Sequence, residues 1–299
     1  MQDNCLHIIK KINIKLFCNK LQYQFGRLHK KSDKYKPAST GVQVPMDVLL
    51  TNDDGIHAPG LWALFHVLTD RHQVHVVAPD RERSAVGHGI TLHQPIRSHV
   101  IRVNASRTGI AVEGTPADCV KLGLAELLET PPDLVVSGIN PGANVGINVS
   151  YSGTVAAAKE AAMAGIPAMA VSITAPGDRH MKAAARAAAT LCSQMVDWKV
   201  PVGTFLNVNF PDLPMDAVRG VRWSRQGANG SVQHFEKRRD PRNRIYYWQG
   251  CDSQGGYDQP DIDGAALADN CISITPIKCD MTDYDALREL SQRVISIKP

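Results

Sequence analysis

From Asp47 onward, short apolar runs alternate with stretches of helical periodicity, and few architectures accept that rhythm. "DVLLT" (47–51) reads as a strand. "PGLWALFHVLTDR" (59–71) reads as a helix, because Leu61, Leu64, Phe65 and Leu68 recur at i, i+3, i+4 and i+7 and Pro59 suits a first helical turn. "QVHVVAPD" (73–80) supplies a second strand. A strand, a helix and a strand in that compass form a right-handed βαβ unit with parallel strands. The pattern then recurs. "TPADCVKLGLAELL" opens with Thr115 as N-cap, Pro116 at the first helical position and Asp118 completing a capping box. "DLVVSG", "IPAMAVSI" and "TFLNVNFP" read as buried strands, interleaved with helices in "SGTVAAAKEAAMAG" and "HMKAAARAAATLCSQMVDW". The expected fold is α/β: a Rossmann-like, mostly parallel sheet with helices on both faces.

After about residue 220 the grammar changes. "VRWSRQGANGSVQHFEKRRDPRNRIYYWQG" has the look of antiparallel hairpin material, with Asn229-Gly230 as a turn signal and aromatics at Tyr246, Tyr247 and Trp248. So polar and aromatic a segment buries itself poorly alone, so residues 221–262 are expected to protrude as an arm that packs on a partner subunit. "CISITPIKCDMTDYDALREL" returns as a strand, a loop and a short helix, closing a domain over 46–299.

Composition is that of an ordinary globular chain, 43% hydrophobic and 21% charged, and no uncharged apolar run approaches the roughly 20 residues a bilayer span needs. No membrane partner is expected. Of 33 basic and 29 acidic residues, nine and two lie in residues 1–45, which leaves 24 and 27 in the body, a balance of −3. The net charge of +4 therefore gives the folded part no nucleic-acid character. The opening stretch is basic and acid-poor but lacks a continuous apolar core and a small-residue cleavage site, a poor secretory signal. A transit peptide, a nucleic-acid arm and a flexible tail remain open. The expectation adopted is a disordered, non-catalytic extension over 1–45, with Met46 well placed as a translation start. The seven cysteines (Cys5, Cys18, Cys119, Cys192, Cys251, Cys271, Cys279) form no CxxC pair, which favours a reducing cytoplasm over a disulfide or zinc framework.

In an open α/β sheet, ligands bind beyond the carboxyl ends of the strands. Asn52, Asp53, Asp54 and Gly55 follow the first strand, "DRERSAVGHGIT" the second, and the glycine- and asparagine-rich "SGINPGANVGINVSYSGT" a later one. Two adjacent carboxylates repel unless something positive lies between them. Carboxylates that converge at a turn suit a hard divalent cation such as Mg²⁺, Mn²⁺ or Ca²⁺, although either aspartate alone could simply cap the following helix. Ser152, Gly153 and Thr154 open an alanine-rich helix, where free N–H groups favour a phosphate, or where a serine or threonine merely caps. A cation and a phosphate cradle in one crevice suggest phosphate-ester hydrolysis.

"LLTNDDGIHAPG", "DRERSAVGHGIT", "EGTPADCVKLGL", "SGINPGANVGINVSYSGTVAAAKEA" and "SITPIKCDMTDYDAL" resemble, in order, the motifs of the SurE family (survival protein E), metal-dependent 5′/3′-nucleotidases. The likeness runs from Met46 to the C-terminus. It implies a phosphomonoesterase releasing phosphate from nucleoside 5′- and 3′-monophosphates and from short polyphosphates, with one divalent cation per subunit. It also implies dimers or tetramers built through an exchanged C-terminal arm. By the resemblance, the metal ligands fall on Asp53, Asp54, Ser84 and Asn140, with Asp53 and Asp54 catalytic, and phosphate contacts on Asn52, Gly138, Ser152, Gly153 and Thr154. His57 and His88 lie in the crevice loops as candidate acids, or as bystanders. A phospho-accepting receiver domain would need a further acceptor aspartate that "SGINPG" does not offer, and a nicotinamide enzyme wants GxGxxG where this chain has NDDGIHAPG. A nucleotide-binding protein without hydrolysis is the remaining alternative.

Overall fold

The chain runs β1 (Asp47–Thr51), α1 (Pro59–Leu68), β2 (Gln73–Pro79), β3 (Ser98–Asn104), β4 (Arg107–Val112), α2 (Pro116–Leu122), β5 (Leu134–Pro141), α3 (Gly153–Met163), β6 (Ala168–Ile173), α4 (Met181–Met195), β7 (Thr204–Phe210), β8 (Gly220–Trp223), β9 (Gln233–Arg239), β10 (Ile245–Cys251), α5 (Asp263–Ala268), β11 (Cys271–Lys278) and α6 (Tyr284–Leu290). This computed structural model describes residues 44–104, 107–174, 179–195, 197–228, 233–251, 257 and 259–296. The expected extension lies outside them apart from Val44 and Pro45, as do Cys5, Cys18 and the Asn229-Gly230 turn signal.

Nine strands form one sheet in the order β3-β4-β2-β1-β5-β6-β7-β11-β8. From β4 through β7 all neighbours are parallel. The strand residues alternate between two cores: Val48 and Leu50 of β1 face the layer that holds Leu61, Leu64 and Leu68 of α1 with Ala184, Ala188 and Cys192 of α4, whereas Leu49 faces Cys119 of α2 and Ala157 and Ala161 of α3. Helices therefore cover both faces, and residues buried on both sides give the strands their continuous apolar runs. Each fully buried leucine of α1 contributes about 1.5–3 kcal/mol. The capping box of α2 forms as its sequence implies, Thr115 accepting from Asp118 N and Asp118 accepting from Thr115 N.

Three features differ from the sequence reading. β3 and β4 form an antiparallel pair, with β4 extending the parallel sheet beside β2; "SHVIRVNASRTGIAV" carries little alternation on its outer strand, most of which faces solvent. β8 is not part of a protruding arm, since it pairs with β11 in the main sheet, where buried Ser224 meets Ser273 at 2.7 Å. The separate two-stranded sheet consists of β9 and β10 alone, reversing at 240–244, where Asp240 accepts from the amides of Arg242 and Arg244 and Asn243 has φ 62°.

β2 lies on one side of β1 and β5 on the other, so the sheet changes direction between β1 and β5. That switch point opens a crevice beyond the carboxyl ends of both strands.

Candidate active site

The turn after β1 carries the acid pair into the crevice. Asn52 is fully buried and donates from Nδ2 to the Gly55 carbonyl at 3.0 Å, closing the turn. Gly55 has φ 95°, and a Cβ there would lie 2.9 Å from the Arg81 carbonyl carbon, so only glycine fits. Asp53 is buried and accepts through Oδ1 from Thr154 Oγ1; the Thr154 backbone N–H also points to its carboxylate. The N-terminus of α3 thus meets an anion supplied by the chain itself. Gly153 is packed so closely that a Cβ would come within 2.8 Å of Asp53 Cβ. Ser152 caps the helix, its Oγ accepting from Val155 N at 3.1 Å.

Asp54 is less enclosed, but its Oδ2 is buried with no hydrogen-bond partner. Burial raises the carboxyl of Asp53, helped by the nearby charge of Glu82 and opposed by the Thr154 bonds. Burial, then the charges of Asp53 and Glu82, push Asp54 up to about 7. Three acidic side chains therefore share the crevice, an arrangement that disfavours their ionisation. Arg83 does not relieve it, because its guanidinium turns to Asp80 at 3.1 Å.

The loop after β2 joins the pair through Arg83 N, which donates to the Asp53 carbonyl at 2.7 Å. Ser84 is exposed beside it and donates Oγ–H to Glu82 Oε1 at 2.6 Å, which leaves the hydroxyl lone pairs open. Asn140 stands where β5 ends, next to β1, and spends Nδ2 on the Gly142 carbonyl at 2.6 Å, which leaves its amide oxygen available. Gly138 is buried against β6, with φ 137° and a would-be Cβ 2.3 Å from the Val171 carbonyl oxygen. Asn52 and Gly138, expected as phosphate contacts, thus have visible work in shaping the backbone. His57 is exposed, whereas His88 bonds Glu160 at 2.8 Å.

Two carboxylates, one of them with a partnerless buried oxygen, a hydroxyl and an amide oxygen are the kinds of donor that hard divalent cations take. No three of the described His, Cys, Asp and Glu residues gather as a metal cluster.

Several supporting residues escape the sequence reading. Glu82 follows a strand end, a signal that could have found it. Glu160, Asn144, Asn207, Asn209 and Asp263 carry no such signal, because their partners are distant in the chain. Asn144 N donates to Asn209 Oδ1 at 2.8 Å, its Nδ2 to Ser172 Oγ, and its carbonyl accepts from Asn207 and Asn209. Asp263 accepts from Gly146 N and Gly227 N. Together they hold the loop between β5 and α3.

A family model for Survival protein SurE matches residues 48–233. A curated protein named 5′-nucleotidase SurE from Desulfatibacillum aliphaticivorans is 54% identical over 247 residues, 83% of this chain and 98% of its own. One of the same name from Syntrophobacter fumaroxidans is 47% identical, covering 83% of this chain and 99% of its own. A crystal structure of the SurE protein from Aquifex aeolicus aligns with TM-score 0.72 at 34% identity, over 82% of this chain and 98% of that one. With its crevice at the β1–β5 switch point and this likeness along most of its length, the chain belongs to the SurE family.

Proposed function

We propose that the chain is a metal-dependent 5′-nucleotidase, a phosphomonoesterase that releases phosphate from nucleoside 5′-monophosphates, with 3′-monophosphates and short polyphosphates as further substrates. The family membership supports the reaction class. The observation that carries the reading is the acid pair at the switch point: buried Asp53 tied to the start of α3, and Asp54 with a buried oxygen left open.

Asp53, Asp54, Ser84 and Asn140 hold one Mg²⁺, Mn²⁺ or Ca²⁺ ion. When bound, such an ion supplies charge neutralisation for the phosphoryl oxygens and lowers the pKa of a coordinated water. Thr154 fixes the rotamer of Asp53, so that carboxylate acts as an oriented donor rather than a proton carrier. Asp54 keeps Oδ2 uncommitted, which makes it the oxygen available to a cation or to a proton. The Ser152–Gly153 end of α3 presents the remaining positive end of the helix dipole, so a phosphoryl group there gains stabilisation as charge develops. The β9–β10 hairpin joins subunits into a dimer or tetramer. A cytoplasmic site of action suits the free thiols of Cys119, Cys192, Cys271 and Cys279.

The test is release of free phosphate from a panel of nucleoside 5′- and 3′-monophosphates, with and without EDTA. The reading requires release that EDTA abolishes and Mn²⁺ restores. Nucleotide binding with no phosphate released would favour the binding-protein alternative.

A further inference from the structure

Glu160 is out of place on α3. The helix is built of small apolar residues, yet at its seventh position beyond Gly153 it buries a carboxylate with a side chain only 11% exposed. His88 Nε2 donates to Glu160 Oε2 at 2.8 Å and Lys121 Nζ, from α2, donates to Oε1 at 3.0 Å. A buried ion pair adds little to stability relative to a well-packed apolar residue, so its presence on this helix calls for a positional role.

The position it controls is the loop that carries Ser84. Between Arg83 and Thr91 no regular structure holds the chain, and Ala85 and Gly87 both adopt φ 55°. The loop is pinned from three sides. Arg83 N bonds the Asp53 carbonyl, and Gly87 N bonds the Tyr151 carbonyl at 2.9 Å, next to the cap of α3. Gly89 O accepts from Thr115, and Thr91 donates twice to Asp118, at the cap of α2. Among the described residues, His88–Glu160 is the side-chain tether from this loop to the body of α3. Glu160 lies roughly 10 Å down the helix axis from Gly153, so His88 is placed to orient the loop, not to touch the phosphate.

Resting on the four-oxygen metal site proposed above, we infer that His88 and Glu160 are positioning residues, which fix Ser84 as a cation ligand relative to the acid pair and the start of α3. Groups that hold a metal ligand in place change metal affinity about 10–100-fold when lost.

The test is Mn²⁺ binding to the full chain without nucleotide, measured by electron paramagnetic resonance on Ser84→Ala, His88→Ala, the double variant and His88→Gln, each shown to unfold cooperatively. His88→Ala should weaken Mn²⁺ binding about tenfold or more, and the double variant should bind no more weakly than Ser84→Ala. His88→Gln, which keeps an N–H for Glu160, should recover most of the loss. Losses that multiply in the double variant, or His88→Ala with unchanged affinity, would overturn the inference alone. Unchanged affinity in Ser84→Ala would overturn the ligand role of Ser84 and the inference with it.

Discussion

Asp54 and Glu160 are both enclosed carboxyls, and their surroundings push them in opposite directions. At Asp54, burial and two negative neighbours raise the carboxyl to about 7. At Glu160, burial also raises it, but the bonds and charges of His88 and Lys121 outweigh that and bring it below its usual 4.5. The first group has two negative neighbours, whereas the second accepts two hydrogen bonds. Asp54→Asn removes a repelled charge at constant volume, so phosphate release should fall at least about a hundredfold while the thermal midpoint holds or rises. A variant with undiminished turnover at limiting Mn²⁺ would remove Asp54 from the site. For Glu160 the sign is that of a depressed acid. Its contribution to stability is present above its unfolded value near 4.5 and is lost as pH falls through the lower folded value. Urea unfolding at descending pH should accordingly show a shallower acid limb for Glu160→Gln than for the unmodified chain. Identical limbs would mean that the His88 and Lys121 bonds do not persist in solution.

Among the elements, α3 joins fold to chemistry, and its first turn tolerates nothing larger than glycine at position 153. Gly153→Ala would set a methyl 2.8 Å from Asp53 Cβ and 3.1 Å from Pro116 Cγ. Overpacking of this kind costs about 1–3 kcal/mol, and the strain falls on Asp53. Denaturant midpoints should drop and Mn²⁺ affinity should drop with them; a variant stable and tight-binding as the parent would show that the two elements approach less closely. The start of α3 was legible because a capping residue after a glycine-rich loop is a local pattern, and so were β1, β2, α1 and α2, whose periodicities and caps lie within a few residues. Asp53 and Asp54 were visible for the same reason, being neighbours in the chain. His88–Glu160, 72 residues apart, and Asn144–Asn209, 65 apart, were not, because nothing local announces a long-range bond. The β9–β10 reversal falls at Asp240–Arg244, where an aspartate side chain organises the turn.

For the whole molecule, strand order matters more than any single element. Adding β2 and β5 on opposite sides of β1 creates one crevice and brings to its rim loops that are about 30 and 90 residues beyond the first. The β9–β10 hairpin exposes Phe235, Tyr247 and Trp248, each more than half accessible in the single chain. Aromatic side chains of this size normally contribute by burial, and the proposed subunit contact would cover them. By sedimentation velocity the chain should run as a dimer or larger, and a Tyr247→Ser, Trp248→Ser double variant should run smaller. A parent chain that sediments as a monomer would remove the arm's proposed role. The metal site itself is open to a direct test: anomalous diffraction from crystals grown with Mn²⁺. One peak per subunit is expected, within about 2.0–2.6 Å of oxygens from Asp53, Asp54, Ser84 and Asn140. A well-ordered crystal with no peak there, or with its peak held by other residues, would contradict the proposed site.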